Sequence, residues 1–425
     1  MFIRIIMFRY LNCPLSYVYN TPPKARPRHI CMSWPSNKPP WKHVKWIQTP
    51  VAEPHDVQLN PVWSLLLPFP DISGKLFTLK GQIEALDKTD EWEYLKRTSN
   101  PYELVFSQSQ DYRIPASVCS LKPLSRSFFK MVEILHVMNF FKRHTSNIRS
   151  AHVCEGPGGF IEALLHLSLK NSFTLASASA MTLRPSKPNI PGWKRAYTFL
   201  KKAPMVKINY GADDTGDIMV PKNQLAFLEN IRGKCTIFTA DGGFDFSEHY
   251  SRQEDEVFPL LVSSVLIGLQ TMVCGGDFVL KLFDTEMKST CDLLVLLSLC
   301  FDSWTIYKPA LSRPCNAEKY FLGRGCRPIP AWIIKTLIHI RDTCSRGTLT
   351  IRSIFSNLPD HIQVTIDTLK KEFLDQQVAA LEYAISHKEE WNKDPNIVWK
   401  SIYTNSVNWC HEFNIPVKLD TWMIP

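Results

Sequence analysis

Apolar positions recur at three- and four-residue steps through residues 77–97 (FTLKGQIEALDKTDEWEYLKR) and again through 125–143 (SRSFFKMVEILHVMNFFKR). That spacing predicts helices over both stretches. Past residue 150 the pattern alternates between short apolar runs and amphipathic ones. HVC (152–154) reads as a short strand ending in a Gly-rich turn, with FIEALLHLSL (160–169) the helix after it. SFTLASASAM (172–181) is a second strand. CTIFTA (235–240) is a buried strand ending at Asp241, followed by a long helix through 259–273 that Gly275 and Gly276 break. DFVLKLF (277–283) is the next strand. TCDLLVLLSLCF (290–301) is a helix, and SWTIYKP (303–309) and AEKYFLGRG (317–325) are strands. Such alternation implies crossover connections, hence an α/β fold with a mainly parallel sheet and helices on both faces. Beyond about residue 328 the pattern is helical again and carries no catalytic constellation, and no repeat of fixed period is visible.

Composition changes this picture little. The chain has 425 residues, 45% of them hydrophobic and 21% charged, which excludes wholesale disorder and fits two or three structural units. No apolar run reaches the ~18 residues of a membrane span. Ser263, Ser264, Gln270 and Thr271 interrupt the uncharged stretch 257–276, which reads as a buried helix. The opening MFIRIIMFRY is interrupted by Arg4 and Arg9 and lacks a small-residue cleavage site, so it does not read as a signal peptide. Twelve cysteines form no C-x-x-C pair and no zinc-finger spacing, which points to reduced thiols in an intracellular protein and to no metal.

Charge changes it more. The net charge is +9, and residues 1–50 hold eight Lys or Arg with no Asp or Glu, so the excess sits in that segment. The same 50 residues contain eight Pro and three Trp (Trp34, Trp41, Trp46). Residues 1–69 therefore read as a basic, Pro- and Trp-rich N-terminal arm, residues 70–330 as the α/β domain and 331–425 as a C-terminal helical region. The arm is either a polyanion-facing surface or a solubilising tail that also straps the domain.

Ligands of open parallel sheets bind at the carboxyl ends of strands. The first such end carries CEGPGGF (154–160), where Gly156, Gly158 and Gly159 permit close backbone approach and Pro157 stiffens the turn. This is a tight turn, a dinucleotide loop or a nucleoside-cofactor loop. The dinucleotide fingerprint requires Gly where Ile161 stands and an acidic residue some 20 positions on, where TLASASAM runs.

Asp241 ends a strand expected in the sheet interior, a place suited to a cofactor or reacting group, although a lone Asp there also serves as a helix cap. Lys281 interrupts an apolar strand. Lysines are rarely buried without a partner; desolvation would lower its pKa and a carboxylate such as Asp241 would raise it again. The alternative is an edge lysine whose head reaches water. Glu318 enters a strand in SRPCNAEKY, and Lys130 lies in the helix before the Gly-rich turn. Together these four would form a Lys–Asp–Lys–Glu cluster in a partly dry pocket.

HVCEGPGGFIEAL, NYGADDTGDIM, TADGGFDF, GGDFVLKLF and KPALSRPCNAEKYFLG, collinear over about residues 70–330, resemble the FtsJ/RrmJ-related cap-specific mRNA ribose 2′-O-methyltransferases of the Adrift type, cellular and from large DNA viruses. The resemblance implies a Rossmann-like fold that binds S-adenosyl-L-methionine. It assigns the cofactor to Glu155, Gly156, Pro157, Gly158, Gly159 and Phe160, with Asp217 near the adenine and Asp241 beside it. It assigns catalysis to Lys130, Asp241, Lys281 and Glu318, and capped mRNA as the partner. Most of the catalysis would come from positioning two bound substrates, with Lys281 as base or orienting group for the 2′-OH and Lys130 adding positive potential. Two departures touch the cofactor ribose: His152 stands where many relatives are acidic, and Ser177–Met181 carries no carboxylate. The larger cellular members carry a second, degenerate domain, so this chain resembles the compact viral forms. A viral member would act in the cytoplasm or virion, a cellular one in the nucleus. Two other readings fit the same motifs, a ribosomal or transfer RNA 2′-O-methyltransferase and a catalytically silent RNA-binding scaffold.

Overall fold

The computed structural model describes residues 39–49, 62–64, 74–87, 91–108, 111–186, 190–243, 253–344 and 350–418. Most of the basic arm, including Trp34, lies outside them. Among the described residues a sheet of eight strands forms the centre. Its strands are β1 (Ile47–Gln48), β3 (Asn147–Val153), β4 (Thr174–Met181), β5 (Val206–Asn209), β6 (Cys235–Ala240), β7 (Met272–Leu282), β8 (Phe301–Tyr307) and β9 (Lys319–Cys326). A two-stranded pair, β2 (Val62–Ser64) with β10 (Thr350–Ser353), stands apart from it. The sheet order is β1-β8-β9-β7-β6-β3-β4-β5, parallel from β5 through β7, with β9 antiparallel to both its neighbours. The fold is therefore α/β with a mostly parallel sheet and a helical C-terminal region.

The helices are α1 (Lys75–Asp87), α2 (Glu91–Thr98), α3 (Ser127–Val137), α4 (Gly159–Lys170), α5 (Pro221–Leu228), α6 (Gln253–Thr271), α7 (Lys288–Ser298), α8 (Ala331–Cys344), α9 (Asp360–Ser386) and α10 (Pro395–Glu412). Alternation along the strands decides which helices cover which face, because successive side chains point to opposite sides. Ile237, Val279, Tyr320 and Leu322 join one buried cluster with residues of α3, α4 and α10. Phe238, Phe278, Leu280 and Phe321 join the other, with residues of α6, α7 and α8. By that alternation Lys281 shares the α3 face with Val279 and Tyr320.

Several boundaries differ from the sequence expectation, each for a local reason. The 125–143 helix is interrupted at Asn139, whose left-handed backbone (φ 49°) separates α3 from a short helix Phe140–Arg143. Gly275 and Gly276 do not end a helix. They lie within β7, Gly275 at φ 82°, where the register against β6 shifts, as a bulge requires. Strand β5 has too short a run to show a period, and β10 interrupts the C-terminal region expected to be helical throughout. The described part of the arm packs on the domain: β1 pairs with β8, Trp41 lies edge-on to Tyr102 and Phe413, and Trp46 stacks under the Arg324 guanidinium at 3.3 Å. No described helix is long and apolar enough to cross a membrane.

Candidate active site

The order of the sheet reverses between β3 and β6, so the crevice at their carboxyl ends is the topological switch point where such sheets bind ligands. The Gly-rich turn joins β3 to α4 there. Its glycines serve packing as much as conformation. A Cβ on Gly159 would sit 2.3 Å from Ser127 Oγ, 2.4 Å from Ser125 Oγ and 2.9 Å from the Phe128 amide nitrogen. The turn is thereby pressed against the start of α3, and Glu162 strengthens the seam by accepting the Leu124 amide at 2.8 Å. Phe160 is buried, 5.9 Å from the Tyr320 ring, so what it offers a ligand is its backbone.

Glu155 behaves differently from a free cofactor carboxylate. It is turned beneath the loop into a buried network: His152 Nδ1 lies 3.1 Å from Glu155 Oε2 and 2.7 Å from Thr239 Oγ1, and the Thr239 hydroxyl donates to Glu155 Oε1. His152 Nε2 meets Ser150 Oγ at 2.7 Å. Burial raises the Glu155 pKa against the lowering influence of His152 and Thr239. His152 thus fills its unusual position by bridging β3, β6 and the loop, which is a local structural reason for the departure noted in the sequence.

Asp217 lies on the loop between β5 and α5 and accepts the Met219 amide at 2.8 Å. Gly216 (φ 71°) lets that loop press onto the end of β4, since a Cβ there would come 2.0 Å from the Thr182 carbonyl oxygen. Burial pushes the Cys154 thiol up to about 12, and Asp217 is the nearest contributor among the charges that add to it. The two therefore share one rim. Where the acidic ribose contact is missing, Arg184 stacks on Tyr210 at 3.9 Å and pairs with Asp214.

On the other side of the switch point the structure brings Lys130, Asp241, Lys281 and Glu318 together. Lys130 Nζ lies 2.6 Å from Glu318 Oε1 and 2.8 Å from Oε2. Lys281 Nζ lies 3.1 Å from Asp241 Oδ1, 3.0 Å from the Asp241 carbonyl oxygen and 3.9 Å from Glu318 Oε2. The four side chains are 12–13% exposed, so the cluster is nearly dry yet open on one side.

Those partners decide the charge states. Burial depresses the Lys281 ammonium, but Asp241 and Glu318 overcome it and leave its pKa above that of an ordinary lysine. Burial opposes ionisation of Glu318 too, yet Lys130 and Lys281 hold its carboxyl far below the usual range. Two linkage consequences have opposite signs. The Glu318 contribution to stability is complete above the ordinary carboxylate pKa and is lost as pH falls through its depressed folded value. The Lys281 contribution is complete below the ordinary lysine pKa and is lost as pH rises through its raised folded value. Thermal midpoints measured across pH are expected to show a plateau between these limits, with an acid limb that is shallower in Glu318→Gln. An identical acid limb in both proteins would remove Glu318 from this role.

Residues not singled out in the sequence complete the site. The Tyr320 hydroxyl donates to Asp241 Oδ1 at 2.8 Å. Lys308 is buried, which brings its pKa down to about 7, and it donates to Asn316 O (2.6 Å), Glu318 O (2.7 Å) and Ser312 Oγ (3.2 Å). Ser312 Oγ also donates to Glu318 O at 3.0 Å. Tyr320 had a signal, two positions beyond Glu318 on the same strand face; Lys308 had none beyond its place in SWTIYKP. Lys308 also lines a cavity of about 380 Å³ at the ends of β7 and β8, with Asp284, Glu286, Tyr102, Tyr307 and Phe373 among its walls. α9 closes one side of it. Lys80 pairs with Asp284 at 3.4 Å, Lys370 with Glu286 at 3.6 Å, and the Lys319 ammonium faces the Phe373 ring at 5.7 Å.

Comparison with known proteins gives one family match, to the FtsJ-like methyltransferases over residues 123–326. The chain is 34% identical over 201 residues to cap-specific mRNA (nucleoside-2′-O-)-methyltransferase 2 of Danio rerio, covering 46% of this chain and 27% of that protein. It is 27% identical over 298 residues to the probable methyltransferase EP424R of African swine fever virus, covering 64% and 65%. It is 29% identical over 260 residues to cap-specific mRNA (nucleoside-2′-O-)-methyltransferase 1 of Xenopus laevis, covering 56% and 28%. The chain thus spans about a quarter of the two animal proteins and 65% of the viral one.

Proposed function

We propose, from the premise that residues 123–326 are an FtsJ-like methyltransferase domain, that this chain methylates the ribose 2′-oxygen of a cap-proximal nucleotide in capped mRNA, with S-adenosyl-L-methionine as donor. The observation that carries the reading is the closed Lys130–Glu318–Lys281–Asp241 cluster beside the switch-point crevice. The names of the relatives point the same way.

The crevice divides the work. The Gly156–Phe160 backbone at the N-terminus of α4, the rim formed by Cys154 and Asp217, and Asp241 line the side assigned to the cofactor, whose sulfonium supplies an electrophilic methyl group. A chain end with buried glycines, backbone amides and few exposed side chains suits a nucleoside lying close against it. Lys281 faces the other substrate. Because Asp241 and Glu318 keep it an ammonium, it orients the ribose hydroxyl and steadies negative charge growing on that oxygen; to act as a base it would first have to lose a proton both carboxylates retain. Lys130 adds to the same potential. Asp241, held by Tyr320, fixes the Lys281 ammonium in line with the crevice.

The cavity at the ends of β7 and β8 suits the cap. A 7-methylguanine is a cationic ring, for which an aromatic face and nearby carboxylates are the natural partners, and Phe373, Asp284 and Glu286 offer both. Transfer of labelled methyl groups to otherwise identical capped and uncapped RNA tests the proposal. Labelling is expected in the capped RNA, on a ribose next to the cap. Labelling confined to uncapped structured RNA would favour a ribosomal or transfer RNA substrate instead.

A further inference from the structure

The geometry points to Glu133 as a positioning residue, a buried carboxylate that sets Glu318 against Lys130 and makes α10 part of the catalytic unit. It deepens the function proposed above and rests on that reading of the cluster.

Glu133 is fully buried and stands one helical turn beyond Lys130 on α3. No described cation pairs with it. Three donors converge on it: the Tyr307 hydroxyl and the Ala310 amide (2.8 Å) on Oε1, and the Trp409 indole N–H (2.8 Å) on Oε2. Burial pushes its carboxyl up to about 7, while all three bonds favour the anion. A buried carboxylate is costly to keep, and this one is held by donors from β8, from the loop after it and from α10.

That loop bears on the reaction. Ala310 follows Lys308 and Pro309, and Lys308 and Ser312 grip the backbone oxygen of Glu318. Arg126, at the N-terminal edge of α3, donates to Leu311 O at 3.0 Å. Glu133 therefore holds, from the helix that carries Lys130, the loop that carries Glu318. The third bond brings in α10, whose Trp409 ring also packs 5.9 Å from Phe129 and 4.5 Å from Phe413.

Glu133→Gln tests this in the full chain. With its carbonyl oxygen toward Tyr307 and Ala310, the amide nitrogen meets the Trp409 N–H, donor against donor. A turnover loss of about tenfold is expected, with KM for cofactor and capped RNA changed less than about twofold, since displacement of a positioned group costs rate before binding. Amide exchange across residues 308–318, measured on the unliganded protein, is expected to quicken. Trp409→Phe and Tyr307→Phe remove one donor each, should give smaller effects of the same kind, and carry the test if Glu133→Gln does not fold. Folded variants with wild-type turnover and wild-type loop exchange would overturn the inference, as would a raised KM at unchanged turnover. If the wild-type chain methylates no RNA, the proposed function fails, and loop exchange still decides the role of Glu133.

Discussion

Lys281→Ala is expected to lower the single-turnover rate of methyl transfer to capped RNA by about 10²–10³-fold, the loss typical of one preorganised donor at a developing oxyanion. Cofactor affinity, read by calorimetry, should stay near wild type, because the Gly156–Phe160 turn and the Asp217 rim belong to other elements. The fold should survive as well: Asp241 retains Tyr320 and Glu318 retains Lys130 in the variant. The pH profile sharpens the test. An orienting ammonium gives a rate that falls as pH rises through its raised pKa, whereas a lysine base gives a rate that climbs toward it. Labelling by Lys281→Ala equal to that of the wild type would leave the cluster without a catalytic role and the chain as an RNA-binding scaffold of this fold.

Glu318→Ala should have the largest effect on stability, about 3 kcal/mol, because removing one member of a buried pair strands the other charge. Here the stranded groups are Lys130, which loses its contacts of 2.6 and 2.8 Å, and Lys281, which loses the longer one. Lys308 keeps its backbone acceptors, since they are carbonyl oxygens. Chemical denaturation of both proteins reads the difference, and Lys130→Met combined with Glu318→Leu should recover much of it by making the site apolar. A loss below about 1 kcal/mol is what a solvent-screened surface pair would give, and would mean the cluster is wetter than its burial implies.

Long, strongly patterned segments were legible from the chain alone. β4, β6, β8 and β9 announce themselves through short apolar runs bounded by turns, and α6, α9 and α10 through their three-to-four spacing. Their alternation is enough for a mostly parallel sheet, since parallel strands need crossovers. β5 and β10, four residues each, carry too few positions to show any period. Gly275 and Gly276 misled because a pair of glycines has the same sequence signature in a bulge as in a helix stop.

The sequence by itself determined which residues are chemically unusual: a lysine in an apolar strand, a carboxylate at a strand end and glycines where a chain must pass close by. Periodicity records how each residue relates to its neighbours in sequence, and that is sufficient for such judgments. Only the tertiary structure decided who meets whom. Lys130 and Glu318 are separated by 188 positions, and nothing local encodes their contact. Tertiary packing likewise turned Glu155 under its loop toward His152 and Thr239, put Tyr320 on Asp241, and left Lys281 charged. Desolvation and Coulomb energy both depend on distance through space, which a chain fixes only once it has folded.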